Sequence, residues 1–324
     1  MNYAVIGTGW ITKELINSAE LCNNAKLCAV YSRNEETGKN FAGEFGVSCV
    51  YTNLEELAKS EIEAVYIASP NVCHYEQAKL LLMNKKHILC EKSIAASASQ
   101  VQELIDIAAK QGVVFLEAIK SMYTPGAELL KEACKKIGRI SQASFVFEQL
   151  SSKYPALLRG ELPNIFNPEM QTGAVMDIGV YCLHPAVYLF GKPETVIANA
   201  VLSDLGIDLC GDAILRYPDK SVTVSYSKIA NQAVPSQIIG DAGMITIEKI
   251  STCSGITLHR NDGSREVLYP HCPDEMHMRY EAEFFVNAIS SPEQYREKVQ
   301  RFNEQSVVVC DLLAQIRKLT GVVF

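Results

Sequence analysis

A short apolar run, Ala4-Val5-Ile6, breaks into Gly7-Thr8-Gly9, and a stretch with helical spacing runs from Trp10-Ile11-Thr12 to about Leu21. A strand, a tight glycine turn and a helix in immediate succession suit a dinucleotide. Gly7 permits the turn, and Gly9 lets the backbone approach a pyrophosphate with no Cβ in the way. The helix N-terminus then offers unpaired N–H groups and a partial positive charge. Gly7, Thr8, Gly9, Trp10, Ile11 and Thr12 are therefore the first candidate cofactor-binding residues. Two glycines in a turn also recur in plain βα connections; the strand before and the helix after favour the ligand-binding reading. Thr12 stands where Gly or Ala is usual, so helix–strand packing has to accommodate a hydroxyl and a methyl.

Residues 1 to about 120 continue the alternation. Strands are expected at 2–7, 26–31, 50–51, 64–68, 87–90 and 113–116, with helices between them, the clearest being 98–111. This pattern predicts an α/β fold: an N-terminal doubly wound (Rossmann) parallel sheet over residues 1–121. Ligands of such sheets lie at the carboxyl ends of the strands. The tips are Gly7–Thr12, Ser32-Arg33, Ser69-Pro70-Asn71, Glu91-Lys92 and Glu117. From about residue 140 the rhythm changes to strands joined by short turns, at 140–149, 195–203, 213–216, 222–227, 236–239, 244–247, 255–259 and 266–269. Residues 122–324 are expected to form a C-terminal α+β domain with a large mainly antiparallel sheet, for substrate binding and dimerisation. Two helices, Glu275–Ile289 and about Glu297–Leu319, close the chain. The irregular segment 151–171 reads as a functional loop.

A net charge of −7 argues against nucleic acid or an anionic membrane as the partner. No apolar run approaches transmembrane length, and because the chain enters its first strand at once no signal peptide is expected. Eleven cysteines, with no C-x-x-C pair, read as reduced thiols of a cytoplasmic protein. His271-Cys272 with His277, and Cys182 with His184, use ligand types at spacings that fit no four-ligand zinc site, so no metal is expected.

The second strand tip bears on the cofactor. An acid there would bind a ribose 2′-OH and repel a 2′-phosphate. Tyr31-Ser32-Arg33-Asn34 has none, and Ser32 with Arg33 offers a hydroxyl and a guanidinium to a phosphate, favouring NADP(H) over NAD(H). Reduction of a carbonyl creates an alkoxide that must be protonated as it forms. Lys92, at a strand tip after an apolar run, is a candidate cation there, although a surface lysine is the bland alternative. Asp177 and Tyr181 lie four apart in an expected helix and share a face, which His184 and Tyr188 continue. Pro185 is expected to kink or restart that helix, and Gly179 to admit another backbone or a cofactor ring. The alternative gives Asp177 to the helix N-terminus and Tyr181 to the core.

Taken together, Gly7 through Thr12, Ser69-Pro70-Asn71 with His74, Glu91-Lys92-Ser93, Glu117-Ala118, and Gly173 through His184 resemble the Gfo/Idh/MocA oxidoreductases, most closely the dimeric dihydrodiol dehydrogenase branch. The resemblance spans essentially the whole chain. It implies a dehydrogenase or reductase acting on a small polyhydroxylated, sugar-like or cyclic hydroxy/keto compound, with Ser69, Pro70, Asn71, His74, Glu91 and Lys92 at the cofactor. By analogy Tyr181 is the acid/base, Lys92 the cation that lowers its pKa and contacts the substrate oxygen, and Asp177 the group that orients them. Two departures stand out. Ser93 replaces a proline that is often cis in the family, which puts the presentation of Lys92 in question. Met122 stands near the place of an arginine in the dihydrodiol branch, which puts the substrate in question. Tyr123, Arg159 and His184 are candidate substrate contacts, with Lys120, Tyr154 and Asn164 behind them. A glycosidase-like enzyme using its cofactor transiently, and a non-catalytic dinucleotide sensor, are the other functions such a chain admits. A homodimer or dimer of dimers is expected through the open face of the second sheet, where Val222, Val224 and Tyr226 would otherwise meet water.

Overall fold

The computed structural model describes residues 1–22, 24–273, 276–322 and 324. Two compact units share the chain, residues 1–118 with 278–307, and residues 119–277 with 308–324.

The first unit alternates strand and helix: β1 (Asn2–Ile6), α1 (Trp10–Glu20), β2 (Lys26–Tyr31), α2 (Glu35–Glu44), β3 (Val50–Tyr51), α3 (Leu54–Lys59), β4 (Ala64–Ile67), α4 (Asn71–Met83), β5 (His87–Glu91), α5 (Ala98–Gln111) and β6 (Phe115–Ala118). The strands pair in parallel in the order β3-β2-β1-β4-β5-β6, so the order reverses between β1 and β4. That reversal opens the crevice in which doubly wound sheets take their ligands. Central strands β4 and, past the exposed Asn2, β1 are apolar and buried because helices cover both faces.

Several helix starts are written into the sequence. Asn34 caps α2 by accepting from the Thr37 amide at 2.8 Å, Asn53 caps α3, and Ser97 caps α5. Helices α1 and α4 start at Gly9 and Pro70 with no side-chain cap. These two uncapped ends follow β1 and β4, on either side of the crevice.

The second unit holds α6 (Pro125–Cys134), β7 (Ile140–Glu148), α7 (Tyr154–Leu158), a π-helical turn (Val175–Gly179), α8 (Val180–Phe190), β8 (Thr195–Leu202), β9 (Asp208–Arg216), β10 (Ser221–Ser227), β11 (Ser236–Gly240), β12 (Gly243–Lys249), β13 (Ser254–Arg260) and β14 (Arg265–Tyr269). Its sheet runs β14-β13-β12-β11-β7-β10-β9-β8, antiparallel except for the β7–β10 pair. The α/β fold with a parallel sheet and a mainly antiparallel one is as the sequence predicts. The segment 151–171 contains only α7 and two single 3₁₀ turns.

Two closing helices follow, α9 (His277–Ser290) and α10 (Pro292–Thr320). Glu275, the expected start of the first, lies outside the described residues. Ala282, Phe285 and Val286 of α9 pack with Tyr3, Leu15, Ala19, Tyr66 and Leu89 around a cavity of about 20 Å³, so the apolar face of α9 belongs to the first unit.

Two expectations need correction. Val222 and Val224 are fully buried and Tyr226 nearly so; they face the helices of their own unit and not the open side of the sheet. The alternation of β10 is as read, but the covered side is the other one. A segment that meets the length and composition of a membrane span also exists, Pro168–Phe190, with a mean hydropathy of 1.3, although its helix is broken at Gln171–Gly173. It belongs to the core, since 78% of its most apolar window is buried inside the protein.

Candidate active site

In the first unit, Gly7 has φ +106°, and a Cβ there would lie 2.4 Å from the carbonyl oxygen of Ala68. The turn after β1 therefore presses on the tip of β4, and only glycine fits. Gly9 is the opposite case, with nothing within 4 Å of its would-be Cβ. Thr8 and Ile11 are half-buried and Trp10 is 73% exposed. Thr12 is fully buried.

At the tip of β2, the half-buried Ser32 hydroxyl accepts from the Asn34 amide at 3.3 Å, and Arg33 is exposed. Glu35, the first acid after this tip, pairs with Lys39 at 2.7 Å along α2.

The tips of β4 and β5 are tied by His74. Its ring is 1% exposed, with Nε2 2.7 Å from the carbonyl of Ser69 and Nδ1 3.1 Å from that of Ser93. Burial holds the imidazole below its ordinary pKa, against the pull of the two carbonyls; the Lys92 cation lowers it further and Glu117 opposes this. His74 thus spans the Ser69-Pro70-Asn71 turn and the stretch after Lys92, with its ring nitrogens both turned to the chain. The Ser69 hydroxyl donates to Gln77, and Pro70 and Asn71 open α4. Glu91 is buried and accepts from the Tyr66 hydroxyl at 2.5 Å. Lys92 is half-buried, and the Lys92–Ser93 peptide is cis. Glu117, at the tip of β6, accepts from Ser306 of α10 at 2.6 Å.

In the second unit, Asp177, Tyr181 and His184 stand on one helical run. Asp177 lies in the π turn, which joins α8 without a break, and Pro185 sits inside α8. The Tyr181 ring is 9% exposed and packs edge-on against Phe147, with centroids 5.7 Å apart. His184 is 1% exposed. Gly179 does admit a close neighbour, the Tyr226 ring of β10, 3.1 Å from where a Cβ would stand.

Two residues that the sequence reading passed over secure this run. The Lys228 ammonium, just past β10, donates to Asp177 Oδ2 at 2.6 Å. Its signal was the period of the strand: Val222, Val224 and Tyr226 point inward, and Lys228 is next in step. Asp208 of β9 is fully buried, and its Oδ2 accepts from the Val175 amide at 2.6 Å. Burial pushes the Asp208 carboxyl up to about 6, against the amides of Val175, Asp208 and Ala174 and the Arg317 cation. Gly173 makes room for it: φ is +112° and a Cβ would lie 2.1 Å from Asp208 Oδ1.

Of the candidate substrate contacts, Tyr123 is half-buried after the 3₁₀ turn Lys120–Met122, in which Met122 is buried. Arg159 is exposed and held by Glu161 at 2.7 Å. Among the described residues, no group of three or more His, Cys, Asp or Glu side chains is placed to hold a metal.

Residues 1–118 match the model of an oxidoreductase family with an NAD-binding Rossmann fold (GFO_IDH_MocA), and residues 130–246 match the GFO/IDH/MocA C-terminal domain. The scyllo-inositol 2-dehydrogenase (NADP(+)) IolU of Bacillus subtilis is 37% identical, over 100% of this chain and 98% of its own. A trans-1,2-dihydrobenzene-1,2-diol dehydrogenase of Xenopus tropicalis is 31% identical, over 80% and 79%. Among solved structures, the 3-ketoreductase KijD10 of Actinomadura kijaniata, in complex with NADP and TDP-benzene, shares the fold with a TM-score of 0.84 at 21% identity, covering 99% of this chain and 98% of its own.

Proposed function

The chain belongs to the Gfo/Idh/MocA family of NAD-binding oxidoreductases, and on that premise we propose that it moves hydride between NADP(H) and a small sugar-like or cyclic hydroxy/keto compound. The cofactor reading is carried by the crevice between β1 and β4. Gly9 leaves open space, and α1 and α4 start there without side-chain caps, the kind of helix end that suits an anion. Gly7, Thr8, Trp10 and Ile11 would line the pyrophosphate with the fully buried Thr12 packed behind them, Ser69, Pro70 and Asn71 would stand at the next tip, and His74 and Glu91 would hold the tips in place. Ser32 and Arg33 would take the 2′-phosphate. The acid nearest that tip, Glu35, is engaged by Lys39; IolU is an NADP(+) dehydrogenase, and KijD10 is seen in complex with NADP.

When bound, the cofactor supplies or accepts the hydride; the proton is left to the side chains. Tyr181 would donate it to the forming alkoxide. A phenol is a weak acid by itself, so a cation is needed to favour its anion, and Lys92 is proposed for that part, with Asp177 orienting the Tyr181 hydroxyl. Tyr123, Arg159 and His184 remain the proposed substrate contacts. The enzyme is proposed to be a cytoplasmic homodimer or dimer of dimers.

Trp10 provides the test. Its fluorescence, titrated with NADPH and with NADH, should report binding at least ~10-fold tighter for NADPH, a preference that Arg33→Ala removes. On a panel of cyclic polyols and dihydrodiols, Tyr181→Phe should lower kcat by ~100-fold or more while NADPH binding holds. Preference for NADH would overturn the role of Arg33, and a Tyr181→Phe enzyme of undiminished kcat would overturn that of Tyr181.

A further inference from the structure

We infer that Lys228 is a positioning residue for this reaction: it fixes Asp177 as an immobile anion, leaving the proton to Tyr181. The inference rests on the reading of Asp177 and Tyr181 as catalytic.

Lys228 is itself held firmly. Its amide donates to the carbonyl of Leu209 and its carbonyl accepts from Ser151, both at 2.8 Å, so the backbone is clamped between β9 and the chain leaving β7. Ser227, one residue before, has its carbonyl bonded by Gln149, and its hydroxyl accepts from the amides of Ile229 and Ala230. The lysine stem therefore leaves a pinned turn. Its side chain is 11% exposed and that of Asp177 25%, so water screens the pair weakly.

The site of contact matters too. Asp177 lies in the π turn, where each carbonyl–amide bond spans one residue more than in an α-helix. The pair joins the sheet to this turn, four residues before Tyr181. A carboxylate that accepts from an ammonium at 2.6 Å is favoured in its charged form. It makes a poor base and a good fixed charge. Asp177 can then orient a neighbouring donor without exchanging a proton itself. Lys228 is a second lysine with work in this chain, distinct from Lys92, which belongs to the first unit.

The experiment is a mutant cycle on the full-length enzyme. Lys228→Met should lower kcat by ~10- to 100-fold with KM changed less than ~3-fold, and Lys228→Arg should restore most of the loss. In an Asp177→Asn background, Lys228→Met should cost less than ~2-fold more, because the partner is already gone. Full kcat in Lys228→Met would overturn the inference, as would losses that multiply in the double variant or a failure of arginine to rescue. An independent readout is the 15Nζ ammonium signal of Lys228, visible near neutral pH only when protected from exchange, and expected to vanish in Asp177→Asn. Its absence from the wild type would overturn the pairing whatever the activity. A wild type with the signal but no turnover on any hydroxy or keto compound would instead overturn the catalytic reading, and the role of Lys228 with it.

Discussion

Thr12 is fully buried, and its hydroxyl has no hydrogen-bond partner among the described residues. Leaving a buried hydroxyl unsatisfied costs about 1–3 kcal/mol, whereas an apolar group of the same shape carries no such cost. Thr12→Val should therefore stabilise the protein by about 1 kcal/mol, read as a rise in the urea midpoint at unchanged slope. A lower midpoint would mean the hydroxyl has work in the fold. That Thr12 is unusual was legible from its place after the glycine turn; that its oxygen is orphaned was not, since this depends on what packs over α1. Lys228 was half legible. Its step in the alternation of β10 is in the sequence, but which side of the sheet the helices cover is decided by distant segments. Asp208 left no mark at all, because its contact with Val175 joins residues 33 apart in the chain.

At the scale of elements, the same Asp208 acts as a cap supplied from the sheet to the run that carries Asp177 and Tyr181. Three helix starts of the first unit, those of α2, α3 and α5, can be read locally because Asn34, Asn53 and Ser97 cap them. This one was not, because its cap comes from β9. The arrangement has a cost that varies with pH. The Asp208 carboxyl titrates at about 6 in the folded protein against 3.8 for the ordinary group. The native state then binds the proton more tightly than the unfolded chain, so this residue's contribution to stability falls as pH rises between about 4 and 6 and stays low above. The difference across that window is roughly 2–3 kcal/mol. Asp208→Asn should remove the slope: the stability of the variant relative to wild type should improve by that amount from pH 4 to pH 7 in denaturant unfolding. A constant difference would show that the carboxyl is not perturbed. Activity should fall in the variant even where stability improves, because an amide accepts less strongly than a carboxylate from the amides that start the run.

At the scale of the whole molecule, the open face of the second sheet can be traced through its register. Ile197 pairs with Ile214, Ile214 with Thr223, Thr223 with Ser144, Ser144 with Gln237, Gln237 with Thr246 and Thr246 with Thr257. Paired residues point the same way, so this row crosses the sheet on the side opposite Val222 and Val224. Most of it is hydroxyl and amide, which suits water. At the β8 edge it becomes apolar: Ile197 is 57% exposed, Val201 54% and Ile214 39%. The apolar surface open to a second copy is thus not the residues first expected on this face but these three, Ile197 and Val201 on the edge strand β8 and Ile214 on its neighbour β9. If two copies meet there, light scattering should give twice the 35.7 kDa of one chain. Ile197→Lys with Ile214→Lys should return it to one, because two ammonium groups would have to be desolvated against their own copies. Since both positions are exposed in the single chain, the double variant should keep its thermal midpoint as a monomer at least as high as that of diluted wild type. A wild type that runs as one chain at micromolar concentration would exclude the dimer, and a double variant that stays paired would place the contact elsewhere.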